Sequence, residues 1–170
     1  KLGTDYLDLL YIHAPWSDAP WREAISQIDQ LIDEGLVRDF GVSNFTIAQM
    51  EEVRSLAQHP IVANQMEFNV LDKSHVNEAF RAYCTEHNIR IVAYRPLKRQ
   101  ETLHNEVVKR IAETHDATPA QVALAWLLAK EVLPIPKATQ KSHIDENVAA
   151  VNLVLTDEEI SELDNTRTYR

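Results

Sequence analysis

Three short stretches place uncharged hydrogen-bonding groups or an aromatic ring where an apolar, strand-like run stops. They are Gly41-Val42-Ser43-Asn44-Phe45, Ala63-Asn64-Gln65-Met66-Glu67-Phe68-Asn69 and Ala93-Tyr94-Arg95-Pro96-Leu97. A fourth run stops at His13, where Ala14-Pro15 prevents helix continuation. A strand-end histidine offers a neutral imidazole that donates to a substrate oxygen, or it serves a loop carbonyl. Gln65 carries a donor and an acceptor that match a ligand carboxamide reciprocally; a backbone partner serves it equally well. Inside an apolar strand such an amide is costly unless paired. Ser43 and Asn44 suit the same polar site or a helix cap. Tyr94 is either a core aromatic or a flat surface on which a planar ring stacks. Arg95, Lys98, Arg99 and Lys137 gather positive charge on loops after the fourth and fifth strands; singly each suits a solvated surface charge, and jointly, in an acidic chain, they read as a phosphate cradle.

These residues need strands and helices in alternation to hold them. Apolar runs at 6–13, 37–42, 61–68, 89–94 and 132–136 predict five strands, the first of them buried. Helical spacing at 21–34, 46–57, 73–86, 104–115, 120–130, 142–150 and 157–165 predicts the helices between and after them. Thr46 with Gln49, and Thr156 with Glu159, have the capping-box spacing, while Pro119 suits a first helical turn. The βαβα rhythm favours a parallel sheet with outer helices in one domain over 1–170. Three glycines, at 3, 35 and 41, cannot build the Gly-rich turn of an open dinucleotide fold. A (β/α)8 TIM barrel is therefore expected, here as a partial barrel of about five parallel strands with outer helices. In a barrel the strand stops lie on the face where active sites are built.

Composition narrows the function classes. A net charge of −9 disfavours a broad nucleic-acid surface but not a nucleotide ligand, which a few local cations satisfy. The single cysteine, Cys84, excludes an intrachain disulfide and fits a reducing cytosol, so a cytoplasmic location is expected. Its helical neighbours Phe80, Ala82 and Tyr83 point to packing rather than reactivity. No apolar run is long enough to span a bilayer, and no membrane partner is expected. The histidines lack metal-ligand spacing, so no metal site is expected. Lys1-Leu2-Gly3-Thr4-Asp5 has the look of a helix end and loop, as in a piece of a longer protein.

In this order and at these intervals, the segments resemble the aldo-keto reductases, specifically the last five strands of their barrel. The resemblance runs through Leu7-Asp8-Leu9-Leu10-Tyr11-Ile12-His13, Val37-Arg38-Asp39-Phe40-Gly41-Val42-Ser43-Asn44-Phe45 and Asn64-Gln65-Met66-Glu67-Phe68. It continues through Tyr94-Arg95-Pro96-Leu97, Thr118-Pro119-Ala120-Gln121-Val122-Ala123-Leu124, Ile135-Pro136-Lys137 and Ile144-Asp145-Glu146-Asn147. The resemblance implies an NAD(P)H-dependent oxidoreductase reducing aldehydes and ketones to alcohols by hydride transfer, with NADP expected ahead of NAD. By the same resemblance His13 is the active-site histidine, and Ser43, Asn44 and Gln65 hold the nicotinamide carboxamide. Tyr94 stacks on the ring, Lys137 pairs with the 2′-phosphate, and Glu146 and Asn147 contact adenine. Arg95, Pro96, Leu97 and His143 complete the implied cofactor contacts.

Departures from the family pattern matter too. Arg95 stands where a serine is usual and could reach the pyrophosphate. Ala138 follows Lys137, and His143 replaces a common arginine, which weakens the implied preference for NADP. Ala14 replaces an aromatic, with Trp16 available to fill the pocket. The family's proton-donating tyrosine, with its aspartate and lysine, comes from strands this chain lacks, so these 170 residues alone are expected not to turn over substrate. The alternative is a non-catalytic nicotinamide-nucleotide-binding or scaffold protein that keeps the cofactor half of the barrel. A sugar-phosphate barrel enzyme would need an acid–base pair that no residues here supply. Open sheet edges predict self-association or pairing with an N-terminal portion.

Overall fold

The computed structural model describes residues 3–15 and 20–166. In chain order the elements are β1 (Leu7–Ile12), α1 (Trp21–Asp33), β2 (Val37–Ser43), α2 (Ile47–Leu56), β3 (Ile61–Glu67), α3 (Glu78–Glu86) and β4 (Arg90–Tyr94). A 3-10 stretch (Lys98–His104), α4 (Glu106–Thr114), α5 (Pro119–Ala129), β5 (Leu133–Pro134), α6 (Lys141–Ala149), a short 3-10 turn (Ala150–Asn152) and α7 (Asp157–Asn165) follow. The chain packs as two compact units, Lys1–Met66 with Glu78–Ile91, and Glu67–Asn77 with Val92–Arg170.

In the first unit β1, β2 and β3 run parallel, with Tyr11 opposite Gly41, Gly41 opposite Ala63 and Ser43 opposite Gln65. A bulge shifts the register between Phe40 and Gly41. Helix α1 buries Trp21, Ile25 and Ile28, one stripe at helical spacing, and the Trp21 ring meets Phe45 edge-on at 5.1 Å. Phe40, Val42, Phe45, Met50 and Val53 are fully buried and complete the core. The buried Asp29 carboxylate accepts the Gln58 and His59 N–H groups at 3.0 and 3.2 Å, fastening the α2–β3 turn to α1. The expectation of a buried first strand needs correcting. β1 is an edge strand whose Asp8 and Leu9 are exposed, because no strand of the described residues pairs along its other side.

In the second unit β5 pairs with β4 through Val92 opposite Leu133 and Ala93 opposite Pro134. The strand expected over 132–136 shrinks to two residues because Pro134 and Pro136 have no N–H for a ladder. Helix α5 is buried on all sides. Its fully buried Trp126 donates its indole N–H to Asp164 at 2.9 Å and packs on Phe68 at 5.1 Å. Capping boxes open α5 at Thr118 and α7 at Thr156, and Asn105 caps α4. Lys73 Nζ donates to the Thr166 carbonyl at 2.7 Å and so ties the end of α7 to the loop after β3.

The helix expected over 73–86 begins only at Glu78. Asn69 and Asp72 divert the backbone first: Asn69 Oδ1 accepts the Leu71 and Asp72 N–H groups, and Asp72 Oδ1 accepts from Ser74. Such side-chain competition with the backbone is what makes these residues turn formers. The remaining differences are one or two residues at element ends, within ordinary fraying.

Candidate nucleotide-binding site

In the first unit, strand ends bring several of the expected residues together. Ser43 Oγ and the Asn44 backbone N–H both donate to the Gln65 carbonyl at 2.9 Å, and Asn44 Nδ2 donates to Ser43 Oγ at 3.2 Å. Asn44 sits in left-handed backbone (φ 62°), which asparagine tolerates better than most residues. The cap of α2 is Thr46, so Ser43 and Asn44 are not capping groups; they lock the main chain that carries Gln65. The fully buried amide of this strand is Asn64, not Gln65, which is half-buried. Asn64 Nδ2 donates to the Phe45 carbonyl at 2.9 Å, and among the described residues its Oδ1 has no partner.

Tyr11 belongs to the same constellation and was passed over as a sequence signal. Burial raises the pKa of its half-buried phenol and the nearby Gln65 side chain lowers it, with burial prevailing. His13 is exposed and lines a largely apolar cavity of about 400 Å³ with Trp21, Ala24, Ile28 and Leu31. Trp16, expected to fill this region, lies outside the described residues.

The second unit holds a cavity of about 470 Å³, within the range of small-molecule sites. Its walls bring together Arg95, Pro96, Leu97, Lys137, His143, Glu146 and Asn147, all expected cofactor contacts, from the β4 end, the loop after β5 and helix α6. Arg99 also lines the cavity; Tyr94 and Lys98 do not. Tyr94 is half-buried at the tip of β4, with the Arg95 guanidinium 5.9 Å from its ring centre. Gln121 Nε2 donates to the Glu146 carbonyl at 3.3 Å, holding α6 against α5.

Arg95 is itself held. Its Nη1 meets Glu67 at 3.0 Å, and its carbonyl accepts from Asn69 Nδ2 at 3.3 Å. Among the described residues neither Arg99 nor Lys137 forms a salt bridge. Their charges therefore face the cavity uncompensated by a carboxylate in contact, in a chain of net charge −9. Arg95, Lys98, Arg99 and Gln100 all have left-handed backbone, with φ from 43° to 79°. Residues in such conformations persist only where their surroundings over-determine them, and they cluster at binding sites. Helical periodicity gave no hint of this wall.

Among the described residues no cluster of His, Cys, Asp and Glu could hold a metal ion, and no helix is long and apolar enough to cross a membrane. What stands is a parallel α/β scaffold with strand-end amides in one unit and a cationic cavity in the other. The Aldo/keto reductase family profile matches residues 1–167, and the chain belongs to that family.

Similar proteins agree. Methylglyoxal reductase DkgB of Escherichia coli O157:H7 is 37% identical over 162 residues, covering 94% of this chain and 60% of that protein. Glyoxal reductase of Bacillus subtilis (strain 168) is 34% identical, covering 96% of this chain and 58% of the relative. The chain thus spans about three fifths of the length of these relatives. The crystal structure of the thermostable aldo-keto reductase Tm1743 superposes with a TM-score of 0.88 at 39% identity, covering 95% of this chain and 60% of that one. A Bombyx mori aldo-keto reductase in complex with NADP gives a TM-score of 0.84 at 28% identity, covering 96% and 58%. The fold is therefore α/β, with five parallel strands and helices matching TIM-barrel aldo-keto reductases over about 60% of their chains.

Proposed function

We propose that this chain is the cofactor-binding part of an NAD(P)H-dependent carbonyl reductase, corresponding to the last five strands of the barrel, with NADPH preferred. The observation that carries the reading is the cavity of about 470 Å³ lined by Arg99, Lys137, His143, Glu146 and Asn147. Its donor set fits a nucleotide phosphate: two cations without a carboxylate partner, with an amide and a carboxylate beside them able to pair with a base edge.

In this reading Lys137 takes the adenosine 2′-phosphate, Glu146 and Asn147 take adenine, and Arg95 and Arg99 take the pyrophosphate. Ser43, Asn44 and Gln65 hold the carboxamide, and Tyr94 offers its face to the ring. The nicotinamide cofactor supplies a hydride when bound. His13 donates a hydrogen bond to the carbonyl oxygen of the substrate, orienting and polarising it. A proton for the developing alkoxide needs a separate general acid, a contribution worth roughly 10²–10⁴-fold. No residue of this chain is assigned that role, so carbonyl reduction belongs to a longer protein that supplies it. The 170-residue chain is read as a binder of the cofactor.

A titration of the chain with NADPH and NADH tests this. Lys137→Ala is expected to weaken NADPH about tenfold or more, the worth of a charge-assisted contact, and to leave NADH nearly unchanged. Equal losses for both would remove Lys137 from the 2′-phosphate, and no binding of either would end the reading. Steady-state turnover of 4-nitrobenzaldehyde by the isolated chain would overturn its assignment as a non-catalytic part.

A further inference from the structure

Of Arg95, Arg99 and Lys137 in the wall of the second unit's cavity, only Arg95 forms an ion pair among the described residues. Its Nη1–H donates to Glu67 Oε2 at 3.0 Å. Glu67 ends β3 and does not line the cavity; Arg95 follows the end of β4 and does, and both belong to the second unit. The Glu67 side chain is 21% exposed and that of Arg95 46%, so the carboxylate is the anchored member and the guanidinium the one that reaches outward. The contact is one-sided. Among the described residues no other hydrogen bond engages this guanidinium, which leaves the rest of its five N–H donors for a second acceptor. Asn69 Nδ2 donates to the Arg95 carbonyl at 3.3 Å, so the main chain here is held without Glu67.

We propose that Glu67 is an affinity-setting residue: its carboxylate shares Arg95 with a ligand phosphate and holds down the strength with which the cavity binds that phosphate. The inference rests on the reading above that the cavity takes the phosphates of a nucleotide. Two effects act in the same direction. A guanidinium already met by a carboxylate in contact exerts little net field on a third charge. The carboxylate, one salt-bridge length farther away, also repels the phosphate directly. Neither effect reaches an uncharged part of the ligand, so Glu67 acts on phosphate and leaves a nucleoside alone. Arg99 and Lys137 supply an attraction that no contacting carboxylate offsets, and Arg95 is the adjustable member of the set. As a phosphate leaves, Glu67 takes the guanidinium back, which speeds dissociation, the step through which most differences in affinity are expressed.

The test is equilibrium binding of inorganic pyrophosphate and of adenosine at low ionic strength. Glu67→Gln keeps an oxygen to accept from Arg95 and removes only the charge. It is expected to bind pyrophosphate about fivefold more tightly than the wild type, the effect of one charge several ångströms away at a protein surface, and adenosine within about twofold. At about 1 M salt the gain should shrink below roughly twofold. Arg95→Gln, which leaves Glu67 uncompensated beside the cavity, should weaken pyrophosphate about fivefold or more. Glu23→Gln on α1 makes the same change in net charge and should leave pyrophosphate binding as it is. A Glu67→Gln variant that binds pyrophosphate no more tightly than the wild type, or that gains equally for adenosine, overturns the proposal and leaves the phosphate reading standing. Weaker binding by that variant would make Glu67 a support for Arg95 instead, and wild-type affinity in Arg95→Gln would remove Arg95 from the phosphate; either result also overturns it. Pyrophosphate binding to neither the wild type nor Glu67→Gln would end the phosphate reading and the proposal together.

Discussion

Replacing Gly41 with alanine puts a methyl group where the structure has no room for one. The new Cβ would stand 2.7 Å from Tyr11 Cε1 and 2.9 Å from the Ala63 carbonyl oxygen. Neither obstacle is a flexible chain end. The ring lies over Gly41 in β2, and the carbonyl belongs to the strand opposite Gly41. Reaching ordinary contact requires the ring or the strand to move by more than half an ångström, an overpacking that costs typically 1–3 kcal/mol. Taking about 2 kcal/mol and a urea m-value of roughly 2 kcal/mol/M, the unfolding midpoint should fall by about 1 M with m unchanged. Urea unfolding followed by Trp21 fluorescence reports on the affected unit, because Trp21 is buried in it. A midpoint within about 0.2 M of the parent would show that β1 and β2 separate without cost, and that the ring over Gly41 is not a tight packing contact.

Two further outcomes follow from individual side chains. Burial pushes the Cys84 thiol up to about 12, so it stays protonated and inert at neutral pH; iodoacetamide at pH 8 should label it only after urea is added. At Glu159, burial pushes the carboxyl up, but the Thr156 N–H and His115 outweigh it and hold the pKa below its usual value. A depressed carboxyl contributes stability that is present above the unfolded range near 4.3 and is lost as pH falls through the folded value. Glu159→Gln keeps an oxygen for the capping box but loses the negative charge at the start of α7 beside His115, so it should cost roughly 0.3–1 kcal/mol at pH 7 and flatten the acid limb of a stability–pH curve. An acid limb as steep as the parent's would mean that other carboxylates carry it.

The parts legible in the sequence are those that local chemistry decides. Thr46, Thr118 and Thr156 are each followed three residues on by Gln49, Gln121 or Glu159, and each pair closes a capping box. The strand stops at Ser43 and Tyr94, and the place of Gln65 near the end of β3, could likewise be read from apolar runs. What escaped depends on partners distant in the chain. Tyr11 looked like any strand tyrosine, because the space its ring fills is left by a glycine 30 residues away. The wall at Arg95–Gln100 resisted reading for a different reason. None of its left-handed residues is a glycine, so the usual marker of that backbone is missing. Asn69 and Asp72 delayed α3 through side-chain hydrogen bonds that helical periodicity does not register.

That wall has an evolutionary corollary. Four backbone positions sit uphill by something on the order of 1 kcal/mol each, and Glu67 and Asn69 help to keep Arg95 from sliding back down. The segments around 67–69 and 95–100 are thus mortgaged to one another: drift in the first loosens the shape of the second without altering any atom that meets a ligand. Homologous sequences should therefore show these two stretches changing in concert.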